Sequence, residues 1–249
     1  VSTAGTNNRP EAIHDDLVRR IFQGEFQPGD RLPPERTLAA EYATNRNTLR
    51  EAIRRLEHAR LVTVRQGSGV RVTDWRNVGT LDSLGLLVKH TKSPVERVGV
   101  IMDLLIGRMA VLEHAVALAA QHRTDAQLAR IDAILEEQVA AYHERDRGAL
   151  MRGDIALVEA LVDASNSLTA RWIANSFLDV YRQLVAGAQT LWIFHPEFPD
   201  YLQTLSDALH ARDAARATEI TRAYYAHSDE TVMNVLQRMV RPADTTKTT

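Results

Sequence analysis

The sequence predicts a mainly α-helical protein in two parts. An N-terminal winged helix-turn-helix with a small β-hairpin wing precedes a C-terminal antiparallel, all-helical bundle of six or seven helices. Three observations carry this. Apolar residues recur at spacings of three and four along most of the chain. Within residues 32–71 that period breaks at Ala43-Thr44-Asn45, and again at Gly67-Ser68-Gly69 between two short alternating runs. From residue 81 onward hardly any strand signal remains, and 249 residues suit two domains.

Residues 1–9 are small and polar without period, as in a flexible tail. Pro10 opens a helix through Phe22 with Ile13, Leu17, Val18 and Ile21 on one side; Gly24 and Pro28-Gly29 end it and turn the chain. Pro33-Pro34 and Glu35-Arg36 open the next helix, because proline fits a first turn and an acid suits the positive end of the helix dipole. Leu38, Ala39 and Tyr42 give that helix an apolar side. Asn45 is a good N-cap for a helix from Arg46, which turns Leu49, Ala52, Ile53 and Leu56 inward. Residues 61–64 and 70–73 then alternate as two strands, and the glycines between them let backbone approach a phosphate or a minor groove closely.

A helix that presents its first turns to base edges is helix-turn-helix geometry. Here those turns carry Arg46, Asn47, Thr48 and Arg50. Arginine bonds guanine in a bidentate manner, asparagine bonds adenine, and threonine reaches a phosphate or a methyl group. Between residues 46 and 65 six arginines stand against two acids, Glu51 and Glu57.

The phrases PGDRLPPER, RNTLREA and RQGSG together resemble the winged-helix domain of GntR-family transcription regulators. The resemblance implies contacts to double-stranded DNA at Arg36, Asn45, Arg46, Asn47, Thr48 and Arg50, and at the wing residues Gln66 and Gly67. Asn47 stands where the family frequently has Ser or Thr, so no operator sequence carries over.

Net charge is −2, but it is unevenly spread. Residues 1–76 hold 13 arginines against ten acids, about +3, leaving 17 basic and 22 acidic residues for the rest. Positive charge is thus concentrated in the half expected to meet phosphate. Cysteine is absent, which excludes disulfides, thiolate metal sites and cysteine nucleophiles. There is no apolar run of membrane-spanning length and no secretory pattern, so a cytoplasmic protein without a membrane partner is expected. No P-loop, G-x-S-x-G, dinucleotide glycine pattern or H-E-x-x-H occurs, and the nine histidines do not cluster in sequence; an enzyme is not expected.

The DNA-binding domain is placed at residues 10–73 and a linker at 74–80, in which Trp75 is expected to pin the two domains together. Residues 81–240 form the effector-binding and dimerisation domain, and 241–249 a polar tail. Helices are expected at 81–90, 94–121, 124–145, 146–164 with an interruption near Gly153, 168–194, 201–211 and 213–240. Short connections between them make a bundle.

The C-terminal half resembles the effector domain of the FadR subfamily of GntR regulators, on GDIALVEALVDASNS and LHARDAARATEITRAYYAHSDE. Most of that subfamily holds a divalent metal with an Asp, a His four residues on and two later His. This chain has Asp154, but Val158 at the fourth position; Leu202, Gln203 and Thr204 occupy the region of the second His, and His227 fits the third. No metal and no other cofactor is therefore expected. The fatty-acid-responsive branch departs from the pattern in the same way, which implies a long-chain acyl-CoA or fatty acid effector. Leu157, Leu161, Ile173, Phe177, Leu184 and Trp192 suit an acyl tail, and equally suit plain core. Arg108, Asp154, Asn166, Tyr181, Arg182 and His227 are the candidates for its head group. Arg108 lies among apolar residues and needs a partner when buried; it is the best single candidate for binding an anion, with Glu113 or Asp103 as the alternative, purely structural partner. The resulting expectation is a homodimer that reads a palindromic operator and is released by its effector. A metal-assisted sensor of a small organic acid is the alternative on the same scaffold.

Overall fold

A computed structural model describes residues 9–65, 67–185 and 193–240. Gln66, Trp192 and both expected tails lie outside the described residues, as does the side chain of Leu184. The chain divides into two compact units, Val1–Arg97 and Val98–Thr249.

In the first unit, α1 (Arg9–Phe22), α2 (Glu35–Glu41) and α3 (Arg46–His58) pack through the apolar faces that their periodicity predicts. Leu17, Leu38, Leu49, Leu56 and Leu61 are fully buried between them, each stabilising the fold by roughly 1.5–3 kcal/mol relative to exposure. Ala43 closes the turn between α2 and α3 with φ of 45°, and Asn45 Oδ1 accepts from Thr48 N at 2.9 Å to cap α3. Strands β1 (Val62–Arg65) and β2 (Gly69–Val72) pair antiparallel, with Val62 opposite Val72 and Arg65 opposite Gly69. Gly67 and Gly69 take φ of 77° and 78° at the tip, a conformation that any side chain would strain.

Residues 74–80, read from sequence as a linker, contain a short helix, α4 (Trp75–Val78). Trp75 is buried edge-on against Phe22, with ring centroids 4.8 Å apart, so it packs within the first unit. Helix α5 (Leu81–His90), expected at the start of the bundle, lies in this unit too: Ser83 Oγ donates to Ala59 O at 2.9 Å, and Gln23 Nε2 to His90 O at 3.2 Å. The division falls inside the first turn of α6 (Pro94–His122).

The second unit is helical throughout its described residues: the rest of α6, then α7 (Asp125–His143), α8 (Arg147–Ala164), α9 (Leu168–Val185), α10 (Phe198–His210) and α11 (Ala214–Val240). Leu112, Ile131, Leu150, Leu157, Leu161 and Leu202 are fully buried at its centre. Helix α8 runs without a break through Gly153. That glycine marks a close approach of α7: a Cβ there would meet Gln138 Cγ at 2.6 Å. Thr124 and Gln127 form a capping box at the start of α7, as the Thr124 cap predicts.

Candidate functional site

Two constellations follow from this fold, one in each unit. In the first unit Arg36, Asn45, Arg46 and Asn47 are exposed, and Thr48 is half-buried. Arg36 is in the first turn of α2; the other four follow the turn that Ala43 closes, at or near the N-terminus of α3, where side chains point outward and backbone N–H groups favour anions. The carbonyl of Asn45 is engaged by the cap, leaving only its amide nitrogen for another group. Arg50 is exposed but not free: its Nε donates to Glu35 Oε2 at 2.8 Å. Sequence reading missed Glu35 as its partner, because the two lie on different helices. Gly67 is at the exposed wing tip, beside Arg65 on the same turn.

In the second unit Arg108, Asp154 and Tyr181 come together, from α6, α8 and α9. Arg108 and Asp154 are only 4% and 5% exposed. Tyr181 and Tyr225 both donate to the Asp154 carboxylate, at 3.0 and 2.5 Å. Arg108 donates to Asp229 at 2.6 Å and lies over the Tyr225 ring, 4.4 Å from its centroid. Its partner is therefore Asp229, from 121 residues away, and not Asp103 or Glu113; Glu113 pairs with Arg222 on α11.

Burial opposes the charge on Arg108, but Tyr181, Asp229 and Asp154 outweigh it and raise its pKa. Burial, and then the Asp154 charge, push both phenols up, so they stay protonated and donate. The Asp229 carboxyl is raised by burial, with Arg108 acting in the opposite sense. Arg108 Nε is buried with no hydrogen-bond partner among the described residues. A buried guanidinium N–H without an acceptor is costly, and is satisfied by an anion or a water placed against it.

Other head-group candidates lie elsewhere. Asn166, with φ of 52°, closes the α8–α9 corner and donates to His122 O at 2.9 Å, an arrangement that accounts for it locally. Arg182 is exposed and pairs with Asp179 and Glu159. Of the tail candidates, Leu157, Leu161 and Phe177 are buried, Phe177 stacking on Tyr181 at 5.7 Å, whereas Ile173 is exposed. His227 is exposed and lies with His195 and Glu197, outside the Asp154 set. Tyr225 and Asp229 are the residues that a search by helix face could have found. They stand one turn apart on α11, but nothing in their spacing tells which helix they meet.

Two family descriptions match the chain: "Bacterial regulatory proteins, gntR family" over residues 10–72, and "FCD domain" over residues 103–227. The HTH-type transcriptional regulator Mce2R of Mycobacterium tuberculosis is 28% identical over 229 residues, covering 91% of this chain and 92% of that protein. The Galactonate operon transcriptional repressor of Escherichia coli is 28% identical over 235 residues, covering 90% and 96%. A solved structure described as "Lar controls the expression of the Listeria monocytogenes agr system and mediates virulence" shares the fold. It aligns with a TM-score of 0.58 at 16% identity, covering 91% of this chain and 97% of that one. None of the described helices is long and apolar enough to cross a membrane.

Proposed function

The chain belongs to the gntR family of bacterial regulatory proteins and carries an FCD domain, and from that premise we propose how it works. It is a DNA-binding transcription regulator and not an enzyme. As a homodimer it places two copies of α3 in successive major grooves of a palindromic operator. Leu168 and Trp172, one turn apart and exposed on α9, support the dimer, since a second copy would cover them.

The effector is an organic anion whose head pairs with Arg108. The observation that carries this is the buried Arg108 Nε, unpartnered among the described residues. Arg108 already has Asp229, so an anion arriving there competes with that carboxylate and loosens α11. This gives the differential affinity for two arrangements that a ligand needs in order to alter DNA binding. The apolar run of Leu157, Leu161 and Phe177 beside the cluster favours a long-chain fatty acid or its acyl-CoA. A small organic acid assisted by a metal is the second reading. The trio of His195, Glu197 and His227 favours it, as does the similarity to a galactonate operon repressor.

To test this, the operator is selected from random duplexes and its affinity followed by anisotropy with oleoyl-CoA, oleate or galactonate added. The acyl ligands should weaken binding, and Arg108→Met should abolish the response. Operator affinity unchanged at saturating acyl ligand rejects the acyl reading, and a response to galactonate alone selects the second.

A further inference from the structure

We propose that His195, Glu197 and His227 bind a divalent transition-metal ion of the zinc, cobalt or nickel class. The site is distinct from the Arg108–Asp154 cluster; the proposal does not rest on the acyl reading, and it supplies the metal that the second reading needs. One ligand atom from each of the three residues lies within 4.8 Å of the others. His227 Nε2 is 3.1 Å from Glu197 Oε1, and His195 Nδ1 is 3.8 Å from the same oxygen. Metal–ligand bonds of about 2.0–2.2 Å put neighbouring ligands roughly 3–3.5 Å apart, so the trio closes on an ion with small side-chain rotations.

The chemistry of the donors fits. His195 is 4% exposed, its Nδ1 is beyond hydrogen-bond reach of Glu197, and its Nε2 has no hydrogen-bond partner among the described residues. Nδ1 is thus the nitrogen open to an ion, and the ring sits edge-on to Tyr224 at 6.2 Å, within a packed aromatic group. A neutral imidazole is the form that coordinates a metal. Two imidazoles and one carboxylate select a borderline transition metal over calcium or magnesium, which prefer oxygen ligands throughout.

Asp154 is not part of this set: its two carboxylate oxygens accept from Tyr181 and Tyr225. The site is instead half open, since Glu197 and His227 are exposed. Three protein ligands leave at least one position for water or an oxygen donor from a small molecule. Glu197 is the N-cap residue of α10 and His227 is on α11, so the ion clasps the entry to α10 onto α11.

Untagged full-length protein, stripped with chelator and dialysed free of it, is titrated with cobalt(II) and then with zinc. One saturable site per chain is expected, giving visible ligand-field bands that zinc displaces. Glu197→Gln and His227→Ala change exposed residues and should keep the fold, checked by circular dichroism, while weakening the site at least about a hundredfold. No saturable binding overturns the proposal, and so does binding that survives both variants. Asp154→Asn should leave affinity unchanged; loss of the ion only in that variant would place it on the buried cluster instead.

Discussion

Arg50 on α3 donates from Nε to Glu35 on α2 at 2.8 Å, so one cation of the recognition helix is held by its own protein. Glu35→Gln removes the negative partner and releases Arg50 toward phosphate. Affinity for duplex DNA should rise, and the slope of log K against log salt should steepen by about 0.9, one phosphate contact. An unchanged slope in a salt titration would mean that Arg50 takes no part in binding.

Arg46 has no such tie among the described residues and is exposed at the first turn of α3. Arg46→Ala should cost about 1–3 kcal/mol at the selected operator and relax specificity at one base pair. Competition assays with single-base variants of the operator check this. Equal losses on every sequence would instead identify a phosphate contact.

Asp229→Asn and Tyr225→Phe separate charge from hydrogen bonding in the buried cluster. Asp229→Asn leaves a buried guanidinium without its closest carboxylate and should destabilise by about 3–5 kcal/mol. Tyr225→Phe removes one of two phenol donors to Asp154 and should cost about 1–3 kcal/mol. Denaturant unfolding at neutral pH ranks the two, and the reverse order would mean that Asp229 is not the group that compensates the buried Arg108.

Gly153→Ala pits propensity against space. Alanine favours a helix over glycine by about 1 kcal/mol. At this position its Cβ would lie 2.6 Å from Gln138 Cγ, an overlap that costs about 1–3 kcal/mol when neighbours must move. A lowered urea midpoint is expected, and a raised one would show that α7 and α8 separate easily.

Stability should also fall with acid. His14 and His90 are each depressed below 6.5, chiefly by burial, with Asp15 acting in the opposite sense on both. The unfolded chain therefore takes up protons before the folded one. Their contribution is present above about pH 6.5 and is lost as pH falls through the folded values. His14→Gln should flatten the drop in urea midpoint between about pH 7.5 and pH 5.5. An equally steep drop would exclude His14 as a cause.

Local chemistry made much of this structure readable in advance. The Asn45 cap, the inward face of α3 and the glycine tip of the wing each depend on residues within a turn of one another. What sequence did not reveal is where distant faces meet. Arg108 was recognisable as a buried cation, but its acid lies five helices later. Trp75 was recognisable as anomalous in a linker, but not as the partner of Phe22. Gly153 looked like a helix breaker, because spacing carries no information about the glutamine pressed against it. Asn166 looked like a ligand-binding amide, although its left-handed backbone explains the residue type.

Helix α11 is loaded on opposite sides. Tyr225 and Asp229, four residues apart, reach inward to Asp154 and Arg108, while His227, between them, faces outward to Glu197. Rolling the helix by a small angle cannot improve one set of contacts without straining the other. The two flanks are therefore mechanically opposed, and α11 keeps its rotational setting only while both sets of partners hold it.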